Sequence, residues 1–259
     1  MPQKHKGERS RSSEIFGVNP VLEALRAKRR AIREITIANG TKDARLAHLI
    51  ELARAEHVPV SYAPRQQLDR ATGNAVHQGV VARIAAAEYT DVDELLESID
   101  QLARNGTPPL VVVLDGVEDP HNLGAILRTA ECAGVNGVFV PERRAVGLTE
   151  TVGKASAGAI EYVPVARATN LSRLIDQLKE RNLWVVGTAA DASTDYTEWD
   201  WTRASAIVMG GEGSGLHRLV REHCDALVRI PLLGQIESLN VSVATGIILY
   251  EALRQRTAR

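Results

Sequence analysis

Cysteine is scarce in this 259-residue sequence: Cys132 and Cys224 lie far apart, neither with a Cys or His at metal-ligand spacing. That scarcity argues against a disulfide-built secreted domain and a structural zinc site, and fits two buried thiols in a reducing, cytoplasmic setting with no metal. Long apolar runs are missing as well. No uninterrupted stretch approaches the roughly 18 residues of a membrane span, so insertion in a membrane is not expected. Residues 1–13 are polar and basic and lack the apolar segment of a secretory signal, so they read as a flexible tail and export is not expected.

Apolar residues make up 44% of the chain, enough for a real core in one α/β domain or two smaller ones. The formal net charge of −1 hides an asymmetry about Ala85. Residues 1–85 carry 15 Lys and Arg against 8 Asp and Glu, and the remainder carries 16 against 24. A basic N-terminal part is the footprint of a module that meets a phosphate backbone, though a merely solvated face has the same composition.

Along residues 14–85 the pattern is that of a small α/β sandwich with a modest core of its own. Helices are expected at 18–28, where Val21, Leu22 and Leu25 keep helical spacing, and at 44–56; strands are expected at 32–37, 58–62 and 79–84. Residues 86–109 change character. An acidic helix over 91–103 precedes Asn105-Gly106-Thr107-Pro108-Pro109, whose glycine and prolines end regular structure, and the stretch reads as a linker.

From residue 110 strands alternate with helices. Strands are expected at 110–114, 137–140, 162–165, 183–188, 206–209 and 226–230, and helices at 123–133, 149–156, 171–181, 217–223 and finally through Arg256. Such alternation makes a mostly parallel sheet with helices on both faces, and ligands in such sheets bind beyond the carboxyl ends of the strands. Three junctions at those ends, 115–128, 209–216 and 231–244, are richer in Gly, Asn and charge than helix capping needs. They look like parts of one pocket.

Each junction also has a plainer reading. Asp119-Pro120 is a good cap and first helical residue, and Ser238 or Asn240 can cap the last helix. Arg128 lies one turn beyond Gly124 beside apolar positions, where an anion could pair with it, yet a solvent-facing helix arginine is the commoner case. Gly210-Gly211-Glu212-Gly213-Ser214-Gly215 lets backbone amides approach a ligand closely. Its spacing is not G-x-G-x-x-G, and Leu216 stands where a phosphate-binding P-loop needs Lys, which disfavours a nucleotide-dependent oxidoreductase or an NTPase.

Taken in order, Asn122-Leu123-Gly124 with Arg128, then Val208-Met209-Gly210-Gly211-Glu212-Gly213-Ser214-Gly215-Leu216, then Ile230-Pro231 through Asn240-Val241-Ser242-Val243-Ala244 resemble the three motifs of the SpoU-type (SPOUT superfamily) RNA ribose 2′-O-methyltransferases. The resemblance covers the whole of 110–259. Glu14-Ile15-Phe16-Gly17-Val18-Asn19-Pro20 and His77-Gln78-Gly79-Val80-Val81-Ala82 resemble the opening and closing of the ribosomal-protein-like (L30e-like) substrate-binding domain of the family's rRNA branch, the subgroup that methylates a guanosine ribose in 23S rRNA.

The resemblance implies a deep trefoil knot, which alternation alone would never justify. It also implies S-adenosyl-L-methionine as cofactor, contacted through backbone groups of Gly210, Ile230 and Leu239, with Glu212 and nearby glycines shaping the wall. Arg128 is placed at the ribose 2′-hydroxyl, oriented with the ribose by Asn122, Ser238 and Asn240, while Glu237 holds loop amides. A guanidinium, with a pKa above roughly 12, suits gripping phosphate better than accepting a proton. The implied partners are 23S rRNA or an assembling large ribosomal subunit and a second copy of the chain in a homodimer. The apolar last helix, with Ile247, Ile248, Tyr250 and Leu253, is equally compatible with that interface and with a core. Two rival readings remain: a tRNA ribose 2′-O-methyltransferase of the same family, and a ribosome-associated RNA-binding protein without catalysis.

Overall fold

A computed structural model describes residues 12–213 and 215–258. The tail expected over 1–13 falls outside the described residues up to position 11. The chain divides between Glu88 and Tyr89 into two compact units.

The first unit runs β1 (Ser12–Phe16), α1 (Val18–Ala27), β2 (Ile32–Ala38), α2 (Leu46–Ala55), β3 (Val60–Ala63), α3 (Arg65–Ala71) and β4 (Val80–Ala85). Its sheet has the order β1-β4-β2-β3, with β4 antiparallel to both neighbours and β2 parallel to β3. Val21, Leu22 and Leu25 of α1 and Leu49 and Ala53 of α2 close over Ile35, Ile37, Ala82 and Ile84. Two expectations are corrected. Ser12 and Ser13 pair with Ala85 and Ile84 inside β1, so the strand starts earlier than the tail was expected to end. α3 was not expected, because Leu68 is its one buried residue and a single apolar side chain leaves no periodicity to read.

The second unit runs α4 (Val92–Arg104), β5 (Leu110–Asp115), α5 (Pro120–Cys132), β6 (Gly137–Pro141), α6 (Glu150–Ala155), a 3₁₀ turn (Ala159–Glu161), β7 (Val165–Ala168), α7 (Leu171–Glu180), β8 (Trp184–Thr188), β9 (Thr194–Asp195), β10 (Ser205–Gly210), α8 (Arg218–His223), β11 (Ala226–Arg229) and α9 (Val241–Thr257). Its seven strands follow the order β7-β6-β5-β10-β8-β11-β9, and every pairing is parallel. All six residues of β5 are buried, as a central strand covered on both faces requires. Leu110, Val112 and Leu114 point to a core shared with Leu123, Ile126 and Leu127 of α5 and Ile248 and Leu249 of α9. Val111 and Val113 point the other way, to Leu95, Leu96 and Ile99 of α4 and Leu174, Ile175 and Leu178 of α7.

Residues 86–109 are therefore not simply a linker. Asp91 caps α4, its Oδ1 accepting from Asp93 N at 2.9 Å and Glu94 N at 3.3 Å, and the helix buries its apolar stripe on the sheet. The acidic outer face dominated the composition and masked that stripe. β7 also starts three residues later than expected, after Pro164, which has no backbone N–H to give to a ladder. Of the two thiols expected to be buried, Cys224 is half-buried and Cys132 is exposed.

Candidate functional site

The three unusual junctions lie at the carboxyl ends of β5, β10 and β11, and the first two of these strands are neighbours. At the first, Asp119 caps α5 by accepting from His121 N at 2.7 Å, with Pro120 in the first turn. That puts Asn122 on the buried side of the helix start, 6% exposed.

The turn after β10 is built on close backbone approach. A β-carbon at Gly210 would stand 2.5 Å from Gly215 O and Leu216 N, and closer still to Gly215 C. Gly211 donates its N–H to Asp115 O at 2.7 Å, and Gly213 and Gly215 take φ values of 83° and 64° that favour glycine. Ser214 lies outside the described residues. At the third junction Asn240 caps α9, its Oδ1 accepting from Ser242 N at 2.9 Å, Val243 N at 3.3 Å and Ser242 Oγ at 2.6 Å.

One hydrogen-bonded chain joins the three junctions. Asn122 Nδ2 donates to Glu212 Oε1, and Asn122 Oδ1 accepts from Asn240 Nδ2 at 2.9 Å. Three of the residues singled out from the sequence are thus brought together across 118 positions.

The others stand apart from that chain. Arg128 is exposed on α5 and makes no hydrogen bond or ion pair with a described residue. Ser238 is exposed and does not cap α9, a role that falls to Asn240. Ile230 is half-buried against the core just past β11, while Leu239 is 39% exposed immediately before the cap. All of residues 231–240 are exposed, with Leu233 at 102% and Ile236 at 78%.

Sequence reasoning missed a second tie. Asp115, 4% exposed, accepts from His217 N through Oδ2 at 2.7 Å and from His217 Nδ1 through Oδ1 at 2.9 Å. A carboxylate at the end of an apolar strand was visible in the sequence, but its partner 102 residues away was not. The loop over 210–217 is therefore held at both ends, by Glu212 on Asn122 and by His217 on Asp115. Among the described residues no group of three or more His, Cys, Asp or Glu is arranged to hold a metal ion, and no helix is long and apolar enough to cross a membrane.

A parallel α/β sheet whose glycine-rich and Asn-rich loops converge at its carboxyl edge defines a ligand-binding domain of the kind that holds a cofactor at backbone amides. Residues 109–250 match the SpoU rRNA Methylase family, and residues 15–90 match the RNA 2′-O ribose methyltransferase substrate binding family. The chain belongs to the SpoU rRNA methylase family.

It is 46% identical over 250 residues to the 23S rRNA (guanosine-2′-O-)-methyltransferase RlmB of Pseudomonas syringae pv. tomato, covering 96% of this chain and 98% of that one. It is 44% identical over 249 residues to the protein of the same name from Escherichia coli K12, covering 95% and 100%. A similar solved structure is the AdoMet-bound rRNA methyltransferase of Sinorhizobium meliloti, with a TM-score of 0.75 at 28% identity over 94% of this chain and 87% of that one.

Proposed function

We propose that this chain transfers a methyl group from S-adenosylmethionine to the 2′-hydroxyl of a guanosine ribose in 23S rRNA. The observation that carries the proposal is the hydrogen-bonded chain Glu212–Asn122–Asn240, which makes one site of three family motifs. Similarity along nearly the whole chain to relatives named for this reaction supports the substrate.

The glycine-rich turn after β10 fits the cofactor, since its main chain is not screened by side chains, and half-buried Ile230 and partly exposed Leu239 in the segment after β11 would add apolar surface. Gly210, Ile230 and Leu239 hold the cofactor through backbone groups, and Glu212 shapes the wall. When bound, S-adenosylmethionine supplies an electrophilic methyl on a sulfonium. The protein's part is to place the ribose oxygen in line with that methyl and to manage its proton. Asn122 and Asn240 orient the ribose with Ser238. Arg128, exposed and without a partner among the described residues, grips the phosphate beside the target and polarises the hydroxyl, and a solvent or phosphate oxygen takes the proton.

Three structural readings accompany the proposal. β11 lies two strands from β10, yet α9 packs beside α5, and this return of the chain supports a trefoil knot. The first unit's three-layer α/β arrangement and basic charge support an L30e-like RNA-binding domain. Leu233, Ile236, Leu239, Val243 and Tyr250 leave a large exposed apolar surface on the last loop and helix, which supports a homodimer that brings Arg128 to the partner's site. A cytoplasmic enzyme acting on rRNA or on an assembling large subunit completes the reading.

The test is methyl transfer from labelled S-adenosylmethionine to unmodified 23S rRNA, 16S rRNA and tRNA, with modified positions mapped. A single 2′-O-methylguanosine in 23S rRNA, lost in Arg128→Ala and retained at reduced rate in Arg128→Lys, is expected. Label in tRNA alone moves the substrate to the family's tRNA branch, and cofactor binding without transfer to any RNA refutes the assignment. Full inactivation of Arg128→Lys with RNA affinity intact overturns the electrostatic role.

A further inference from the structure

We propose that a basic cavity on the α7–α8 side of the sheet is a phosphate subsite for the RNA chain, separate from the Glu212–Asn122–Asn240 site; the inference rests on the proposed RNA substrate. The cavity measures about 240 Å³, and Arg143, Arg144, Asp115 and His217 line it beside apolar Leu171, Leu219 and Val220.

Arg143 and Arg144 are exposed, and among the described residues neither pairs with a carboxylate. Asp115 is the one carboxylate in the lining, and both its oxygens are occupied by N–H groups of His217. Because a carboxylate only accepts, His217 Nδ1 carries a proton. Its Nε2 then accepts from Arg144 Nη1 at 3.5 Å, so the imidazole positions that guanidinium at the rim. Two guanidinium groups without a carboxylate partner match a phosphate, whose oxygens take two N–H donors from one planar fork.

The exposure of the arginines favours a phosphodiester within a polymer over a free anion. A small ion held at so open a rim stays hydrated, whereas a polymer bound elsewhere on the protein presents its phosphate at high effective concentration. The loop over 210–217 reaches both places, with Glu212 at one end in the motif site and His217 at the other in the cavity wall. RNA seated at the carboxyl edge thus has a second anchor on the same loop.

The test compares the full-length protein with the Arg143→Ala/Arg144→Ala and Arg143→Lys/Arg144→Lys double variants. Binding of unmodified 23S rRNA is followed over a salt series, S-adenosylmethionine affinity by calorimetry, and methyl transfer in the same preparations. The alanine variant is expected to bind RNA about tenfold more weakly, with the slope of log affinity against log salt reduced by about one, at unchanged cofactor affinity. The lysine variant is expected to restore the slope. Unchanged RNA affinity and slope in the alanine variant overturn the subsite, as does an equal loss of cofactor binding, which would make the arginines props of the loop. Saturable binding of inorganic phosphate that depends on the arginines, with RNA binding independent of them, also overturns it. Absent methyl transfer by the unmodified protein, with arginine-dependent RNA binding intact, supports the subsite and sinks the enzymatic reading alone.

Discussion

Replacing Gly210 by alanine puts one methyl group where the turn after β10 folds back on itself. The added carbon would stand 2.5 Å from Gly215 O and Leu216 N, where ordinary van der Waals contact is 3.4–4 Å, so the returning strand must move by about 1 Å. The opposing atoms are all backbone, and no rotamer change relieves the clash. Nor can the loop slide as a whole, because Gly211 N is bound to Asp115 O and His217 N to Asp115 Oδ2. The displacement falls on the residues between those anchors, where Glu212 meets Asn122.

Overpacking of this kind costs about 1–3 kcal/mol, and for a unit of this size each kcal/mol lowers the melting temperature by about 2–4 °C. A 1 Å misplacement at a reaction centre costs on the order of a hundredfold in rate. Gly153→Ala is the calibrator, since Gly153 lies in α6 with nothing within 4 Å of an added carbon, and helix propensity then favours alanine by up to about 1 kcal/mol. Thermal unfolding, calorimetric S-adenosylmethionine binding and methyl transfer are measured on both. Gly210→Ala is expected to melt lower, bind cofactor weakly and lose most turnover, while Gly153→Ala melts slightly higher with turnover intact. Wild-type cofactor affinity and rate in Gly210→Ala would refute the close-approach argument.

Leu96→Ala or Ile99→Ala in α4 is expected to destabilise the second unit by about 2–5 kcal/mol in denaturant titrations, since both side chains are fully buried on the sheet; a loss below about 0.5 kcal/mol would mean that 92–104 is a linker after all. Asp115→Asn keeps one acceptor oxygen and turns the other into a donor that meets a His217 N–H, so methyl transfer and melting temperature are both expected to fall; unchanged kinetics would remove the second tie from the site. Burial, and next the neighbouring Asp225, push the Cys224 thiol up to about 12. At pH 8 it stays protonated and unreactive, so iodoacetamide on the folded protein is expected to label Cys132 alone by mass spectrometry, and prior labelling of Cys224 would contradict its burial.

What the sequence made legible follows from where the information sits. β5 is an unbroken apolar run, and that pattern has one common solution, a strand covered on both faces. α4 carries an equally good apolar stripe at Leu95, Leu96 and Ile99, but its acidic outer face and the prolines after it read as a linker. α3 has one buried side chain and no period to detect. In the site, Asn122, Glu212 and Asn240 were reachable because each sits in a motif with local character. The Asp115–His217 tie was not, because nothing local to either residue reports a partner 102 positions away, in the loop after the neighbouring parallel strand.

Hydrogen-bond direction settles how the centre of the site is built. Asn240 Oδ1 is committed to the free amides at the start of α9, so its Nδ2 must point toward Asn122. Asn122 must then present Oδ1 to Asn240, which turns its own Nδ2 to Glu212, a carboxylate that can only accept. Each amide has one workable orientation, fixed in sequence from the helix end outward. An aspartate at 122 could not donate to Glu212, and an apolar residue there would leave Glu212 without its donor and Asn240 without its acceptor. Helix capping and site-building, which compete as explanations of Asn240 when the sequence is read alone, are one act here. The cap orients the amide, and the oriented amide carries the register of α9 across to the loop after β10.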